Sequence, residues 1–419
     1  MKRILRKSLL STAILLAASQ AHGAGFQLLY QSAEGLGRVN AGEGAILSGA
    51  SVGGRNAAAI AMLDSSSVSV GVTFVKPDVK VNGTATGAGS FEHDSVANDG
   101  IVPNLHYARP INDQLALGLS LGSFYGTSTE FPEDSIVGAQ TGETELTTID
   151  ANFYAGYKIN PNLSIGGGVN IVKADAKMIR RAGLLAPGIP GGATASTKVV
   201  DVEGDAMGYG WNIGALWQLD ENSRFSLTYR SAVDLKLEGD FTGLRSSFAK
   251  TPAELKVELP SMAELSGFHQ LNSSLAVHYS ATLTGWSSFQ ELKATSSGCL
   301  NGECLQKDEK WEDSWRYSVG ATYDLSDMLT LRGGIALDQS PVPDAYRTMS
   351  IPDSDRMRYG LGATVNVSSN LSIDAGMSLI DGKKESGTEA LSPPAPAPAA
   401  TFTSEPKALV FALQANYTF

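Results

Sequence analysis

The sequence is poor in charge, poor in cysteine and without long apolar runs. Charged residues make up only 18% of the 419, while 42% are hydrophobic, a balance that excludes a disordered chain. Cations are the scarcer sign. The 32 Lys and Arg against 43 Asp and Glu give a formal charge of -11, which argues against nucleic acid as a partner. Beyond the N-terminus no apolar stretch reaches the roughly 18 residues that a spanning helix needs. A sustained helical period is also missing after residue 66.

What is present begins with an export signal. Lys2, Arg3, Arg6 and Lys7 precede a short apolar stretch, Leu9 to Ala18, too short to cross a bilayer. Ala21-His22-Gly23 then places small residues at -3 and -1 of a cleavage site, so residues 1–23 read as a secretory signal peptide. Its removal takes four basic and no acidic residues, and the mature charge becomes -15.

The body alternates at period two. Phe225, Leu227, Tyr229, Val233, Leu235 and Leu237 share one parity. Arg224, Ser226, Thr228, Arg230, Asp234, Lys236 and Glu238 share the other. Side chains alternate faces along a strand, so this reads as one strand with an apolar and a polar face. Residues 274–284 repeat the pattern, with Leu275, Val277, Tyr279, Ala281 and Leu283 opposite Ser274, His278, Ser280, Thr282 and Thr284.

About fourteen such segments occur: 67–76, 101–109, 114–125, 146–159, 162–175, 205–219, 223–238, 254–270, 273–291, 310–325, 328–338, 353–367, 371–382 and 404–419. Alternate connections are short and rich in turn formers, as in Asn160-Pro161, Asp220-Glu221-Asn222 and Ser368-Ser369-Asn370. The intervening ones are long: 77–100, 126–145, 176–204, 239–253, 292–309, 339–352 and 383–403. This rhythm, with an even strand number, predicts an all-β fold: a 14-stranded antiparallel transmembrane β-barrel in the bacterial outer membrane. A soluble β-sandwich also alternates but does not explain short and long connections in turn. Phe411, Leu413, Ala415, Tyr417 and Phe419 end the chain on an aromatic, which resembles the last strand of bacterial outer-membrane proteins.

A barrel of about this size leaves a lumen that must be open or plugged. Residues 24–66 carry no strand pattern and are rich in Gly and Ala. They read as an N-terminal hatch inside the barrel, with 67–419 as the wall; a disordered periplasmic tail is the alternative. Phe26, Leu28, Leu29, Leu36, Ile46, Ile60 and Leu63 argue for the hatch.

Several segments carry a family resemblance. These are Ala24-Gly25-Phe26-Gln27-Leu28, Gly35-Leu36-Gly37-Arg38, Tyr125-Gly126 with Thr129-Glu130-Phe131, and Gly208-Tyr209-Gly210-Trp211-Asn212. Leu227-Thr228-Tyr229-Arg230-Ser231, Leu259-Pro260 with Glu264, Ser340-Pro341-Val342-Pro343 and Ser350-Ile351-Pro352-Asp353 belong with them. Together they resemble the FadL family of outer-membrane long-chain fatty acid transporters, from the signal peptide to Phe419. The resemblance implies a monomeric barrel whose outer loops capture a fatty acid and pass it to a pocket in the lumen. A hatch movement then releases it sideways, through a gap beside a kink in the third strand, into the membrane. Residue by residue, it implies a kink at Gly126, pocket cations at Arg180 and Lys307, and Phe26 against the bound tail. It also puts Asn56 in a hatch motif where it would hydrogen-bond the kink. The family's Asn-Pro-Ala reads Asn56-Ala57-Ala58 here, so the proline is missing. Arg180, Arg181 and Lys307 could instead be solvated charges at loop bases that contact lipopolysaccharide phosphates.

Cys299 and Cys304 lie in a predicted outer loop; in an exported protein such a pair is expected to be a disulfide, and with no His nearby neither metal nor cofactor is expected. Gly118-Leu119-Ser120-Leu121-Gly122 and Gly49-Ala50-Ser51-Val52-Gly53 match a nucleophile elbow in spelling only, because neither has the strand-turn-helix context, so no enzyme is expected. The leading expectation is fatty acid uptake. An importer of aromatic hydrocarbons, a general diffusion porin and an adhesin or phage receptor are the alternatives.

Overall fold

A computed structural model describes residues 24–390 and 399–419; the expected signal peptide lies outside the described residues. Fourteen antiparallel strands close into one barrel. They are β1 (Ser67–Ala85), β2 (Gly100–Pro110), β3 (Leu115–Gly122 and Gly126–Glu130), β4 (Glu143–Asn160), β5 (Leu163–Arg181) and β6 (Lys198–Gln218). Next come β7 (Ser223–Arg230 and Val233–Gly243), β8 (Thr251–Leu259 and Met262–Gln270), β9 (Leu275–Thr284 and Glu291–Thr295) and β10 (Glu303–Asp308 and Ser314–Asp324). The rest are β11 (Leu329–Asp338), β12 (Arg356–Asn366), β13 (Leu371–Gly382 and Glu385–Ala390) and β14 (Ala399–Thr418). The barrel closes where β14 pairs with β1, from Ser67 opposite Thr418 to Ala85 opposite Ala400.

The tight turns at one end are held by their own side chains. Asn112 Oδ1 accepts from the Gln114 and Leu115 amides, Asp220 Oδ1 from Asn222, Asn272 Oδ1 from Ser274 and Leu275, and Ser368 Oγ from Asn370 and Leu371. Short polar side chains that bond their own backbone are why these residues make turns. At the other end the strands run further than the sequence pattern suggests. β1 reaches Ala85, β5 reaches Arg181, and β3 resumes at Gly126 inside what reads as a loop.

One sequence expectation is corrected. Residues 223–238 do not form one strand with a single lipid-facing side. β7 breaks at Ser231-Ala232, and the break exchanges the faces. Leu227 is 60% exposed to the lipid side, whereas Leu235, of the same parity, is 1% exposed inside the barrel. β8 does the same across Pro260-Ser261, with Leu265 outward below, and Leu255 and Val257 inward above. A slip of one residue is enough, because the side-chain period is two. In β1 the strand is continuous and the chemistry changes instead. Ser67, Ser69 and Thr73 point inward below and Val79 and Val81 above, while Lys76, Asp78 and Lys80 face out.

Residues 24–66 lie inside the lower barrel as a plug: helix α1 (Ala33–Gly37) and three short 3-10 helices, Glu43–Ala45, Ala50–Gly54 and Ala57–Met62. Nearly all of this segment is buried. Wall glycines make room for its backbone. A Cβ at Gly334 would lie 2.4 Å from the Arg38 carbonyl oxygen, and one at Gly166 would lie 2.4 Å from the Ala58 amide nitrogen. Close backbone approach is a reason for glycine within a strand.

Candidate functional site

Above the plug the lumen is apolar. Leu146, Val172, Met178, Val202, Leu235, Leu237, Leu255, Val257 and Leu292 form one continuous cluster with Phe26. Its floor is aromatic because β9 and β10 both fold inward between their segments, carrying Trp286, Phe289 and Trp311. The Phe26 ring lies 4.6 Å from Trp286, 5.5 Å from Phe289, 5.7 Å from Trp311 and 6.2 Å from Tyr125. These edge and tilted contacts are the favoured aromatic geometries.

A cavity of about 700 Å³ opens off this cluster, sharing Met178, Leu292 and Cys304 with it. Leu185, Val200, Leu244, Leu305 and Ile351 supply further apolar wall, and charge comes from Arg180, Arg245 and Lys307 and from Glu303, Asp308, Glu309 and Glu389. Both expected cations therefore line one space. Arg180, at the end of β5, is 7% exposed, so it is not a solvated loop-base charge. Its guanidinium is held by bonds from Nη1 to the carbonyls of Glu143 and Ile179, both 2.9 Å, and from Nη2 to Thr144 Oγ1, 3.0 Å. Lys307 Nζ donates to Glu389 Oε1 at 2.9 Å and lies 4.0 Å from Glu309. Glu389 Oε2 accepts the Met349 amide at 2.9 Å, which fixes that carboxylate. Glu309, in the gap between the β10 segments, is buried, and its Oε2 has no hydrogen-bond partner among the described residues. Burial raises its carboxyl pKa, against the opposing pull of Lys307. Sequence reading missed both acids and the two tryptophans; Trp286 and Trp311 at the ends of alternating segments were the available signal. Cys299 and Cys304 are disulfide-bonded and close the hairpin tip between β9 and β10.

The wall is discontinuous at β3. β2 pairs with it only up to Leu105 opposite Leu121, and above that residues 100–104 pair with β1. The free edge of β3 at Ser123-Phe124-Tyr125 is met by the plug. The Gly126 amide donates to the Phe26 carbonyl at 2.9 Å, and the Leu28 amide donates to the Phe124 carbonyl at 2.7 Å. Gln31 Nε2 donates to the Ser123 carbonyl at 2.8 Å. In lipid each of these backbone groups needs a partner, so the plug's first residues complete the wall. Ile101, Pro103 and Leu105 project outward at this level, which makes it lipid-facing. The expectation for Asn56 is corrected here: it does not bond the kink. Its Oδ1 accepts the Ala58 amide at 3.0 Å, and its Nδ2 donates to the carbonyls of Gly44 at 2.7 Å and Ala215 at 3.4 Å. It caps the Ala57–Met62 3-10 helix inside the plug, as a short amide does at the start of a helix.

Buried ion pairs knit the plug together at Arg38 and bind it to the wall at Arg332 and Glu264. Arg38 pairs with Glu34 at 2.6 Å and Glu43 at 3.1 Å; Arg332 pairs with Glu34 at 3.3 Å, and Arg55 with Glu264 at 3.6 Å. Burial pushes the Glu34 carboxyl up, but the charges of Arg38 and Arg332, with hydrogen bonds from Ser48 and Arg38, hold it at about 2.

A closed fourteen-stranded barrel with a lumenal plug, an apolar outer chamber and a plug-filled break in its third strand defines a class of outer-membrane transport protein. The chain belongs to the family described as outer membrane protein transport protein (OMPP1/FadL/TodX), whose profile matches residues 14–419. It is 37% identical over 454 residues to the long-chain fatty acid transport protein of Escherichia coli K12, covering 100% of this chain and 99% of that one. A Pseudomonas aeruginosa FadL homologue of known structure superposes with a TM-score of 0.85 at 26% identity, covering 94% of this chain and 100% of that one. The Pseudomonas putida toluene transporter TodX shares the fold at a TM-score of 0.65 and 19% identity, over 87% of this chain and 92% of that one.

Proposed function

We propose that this protein imports long-chain fatty acids across the outer membrane, as a monomer whose loops and upper wall touch lipopolysaccharide. The observation that carries the reading is one cavity that joins apolar walls to two cations, Arg180 and Lys307. A carboxylate brought out of water needs charged hydrogen-bond donors, and its tail needs apolar surface at about 0.8 kcal/mol per CH₂. The tail's continuation is the aromatic floor at Phe26, and Phe26 also supplies one of the bonds that complete the β3 break. Displacement of the first plug residues, together with the hatch segment around Asn56, would open a sideways route at Gly126 into the lipid. The tail would then never cross water.

An importer of neutral aromatic hydrocarbons would make no use of the two cations. A general diffusion porin would need a lumen without the buried plug. Purified protein should bind oleate, and Arg180→Ala and Lys307→Ala should each weaken binding by about 1.5–3 kcal/mol, or ten- to a hundredfold. Binding of toluene with no binding of oleate would replace the fatty acid reading with the hydrocarbon one. Steady ion conductance through planar bilayers would favour the porin.

A further inference from the structure

The first segment of β7 ends at Arg230, inside the family segment Leu227–Ser231. Its guanidinium is buried and touches three separate parts of the protein. Cζ lies 3.9 Å from the ring centroid of Phe124, the middle residue of the β3 break. Nη1 donates to Asp150 Oδ2 on β4 at 3.0 Å, and Nη2 donates to the Gly54 carbonyl of the plug at 3.3 Å.

The Asp150 end is fixed. Asn170 Nδ2 on β5 donates to both its oxygens, at 2.9 and 3.2 Å, and Asn170 in turn accepts from Asn212 on β6 at 2.9 Å. The other two ends rest on the parts that a sideways release must displace, the plug and the break. A guanidinium over an aromatic face is attracted most strongly when both are out of water, as here. Contacts made in one conformation and not in another bias the population toward the first.

We propose that Arg230 is the latch of the wall: a single guanidinium, anchored on Asp150, holds the Phe124 ring in the break and the plug at Gly54 closed together. It is a positioning residue. The inference rests on the sideways-release reading. When Gly54 moves, Arg230 loses one acceptor, and the platform under Phe124 loosens with it. Plug displacement and wall opening are then one event.

The test uses the full-length protein in an outer membrane lacking other hydrophobic-compound importers. The variants are Arg230→Gln, Phe124→Leu, their combination, and Phe124→Tyr. Folded barrel is matched by heat-modifiable electrophoretic mobility. Two quantities are read: the ligand-free permeation rate of a neutral hydrophobic fluorophore into cells, and oleate affinity of the purified protein. The expected result is permeation raised at least fivefold in Arg230→Gln and in Phe124→Leu, and no further in the combination. Phe124→Tyr, which keeps the aromatic face, should stay near wild type. Oleate affinity should stay within threefold throughout. Unchanged permeation, additive effects in the combination, or a Phe124→Tyr variant as leaky as Phe124→Leu would each overturn the latch. A separate arm isolates the route. Gln27 and Tyr125 face each other as bridge partners, so a Gln27→Cys/Tyr125→Cys disulfide pins the plug's start to the break. Oleate uptake blocked by that cross-link and restored by reductant supports the route on which the latch depends. Uptake that persists through it removes the sideways route, and the latch falls with it.

Discussion

Below the breaks in β7, β8 and β10, the wall turns Leu227 and Leu265 outward and Ser226, Glu264 and Arg316 inward. Above them it turns Leu235, Leu255 and Val257 inward and Lys236 and Lys256 outward. The two halves are the same alternating sheet used inside out. The lower half has lipid outside and a polar, ion-paired plug within. The upper half has water outside and an apolar chamber within. A barrel that spans the membrane needs only the first arrangement. The second serves a ligand that must leave water before it meets the lipid. Each half carries a different kind of order: charge pairs and glycine contacts below, aliphatic and aromatic packing above.

The strongest way to break this comparison is to place a charge where the upper half forbids it. Leu235→Lys puts an ammonium among the apolar side chains of the core cluster. We expect it to cost about 3 kcal/mol or more, read as a lower urea midpoint for the heat-modifiable barrel in micelles. Lys236→Leu, one residue on and outward, should change stability by no more than about 0.5 kcal/mol. If the upper wall faced the way the lower wall does, the two results would be exchanged.

The lower half is tested by its glycines. Gly334→Val sets side-chain atoms against the Arg38 carbonyl, which already lies 2.4 Å from where a Cβ would be. Overpacking of this kind costs about 1–3 kcal/mol. Because plug and wall also share ion pairs, the strain should appear as a displaced plug, with ion conductance in planar bilayers where wild type has little. A closed barrel of unchanged conductance would mean that the plug yields locally and that these glycines do not seat it.

The comparison also marks what the sequence could tell. Strand number, the tight turns, the lumenal segment and the cysteine pair were legible, because each rests on local chemistry: alternation, Asn and Asp in turns, and apolar residues without a strand period. The sense of the alternation was not. A period-two pattern says that two faces differ, not which one is inside, and Ser231-Ala232 shifts the phase without interrupting the pattern. The role expected of Asn56 came from the resemblance, carried over through a hatch motif that lacks its proline here. The residue's spacing from the other plug residues is local, but its partners Gly44 and Ala215 are set by how the plug seats. Arg180 and Lys307 were named from the family resemblance. Their acidic neighbours Glu309 and Glu389 come from β10 and β13, which no local pattern joins.

Those acids supply the smallest and sharpest prediction. Burial raises the Glu309 pKa, so its neutral form persists to higher pH than for an ordinary carboxyl. While Glu309 is neutral, the cavity's cations Arg180, Arg245 and Lys307 equal its remaining acids Glu303, Asp308 and Glu389 in number, and an anionic head meets one acid fewer than after Glu309 ionises. Once Glu309 ionises, 4.0 Å from Lys307, it competes for the ammonium that the ligand needs. The sign follows: affinity for an anionic head is high below the raised pKa of Glu309 and falls as pH rises through it. An alkyl sulfonate, which stays ionised across the range, separates this from the ligand's own titration. Its affinity should drop by a few fold on raising pH, an effect of about 1 kcal/mol for charges in a partly screened cavity. Glu309→Gln should hold the tighter, low-pH affinity at all pH values. An alkyl alcohol of the same length should show no such slope. A slope that survives Glu309→Gln would transfer the titration to another group in the cavity.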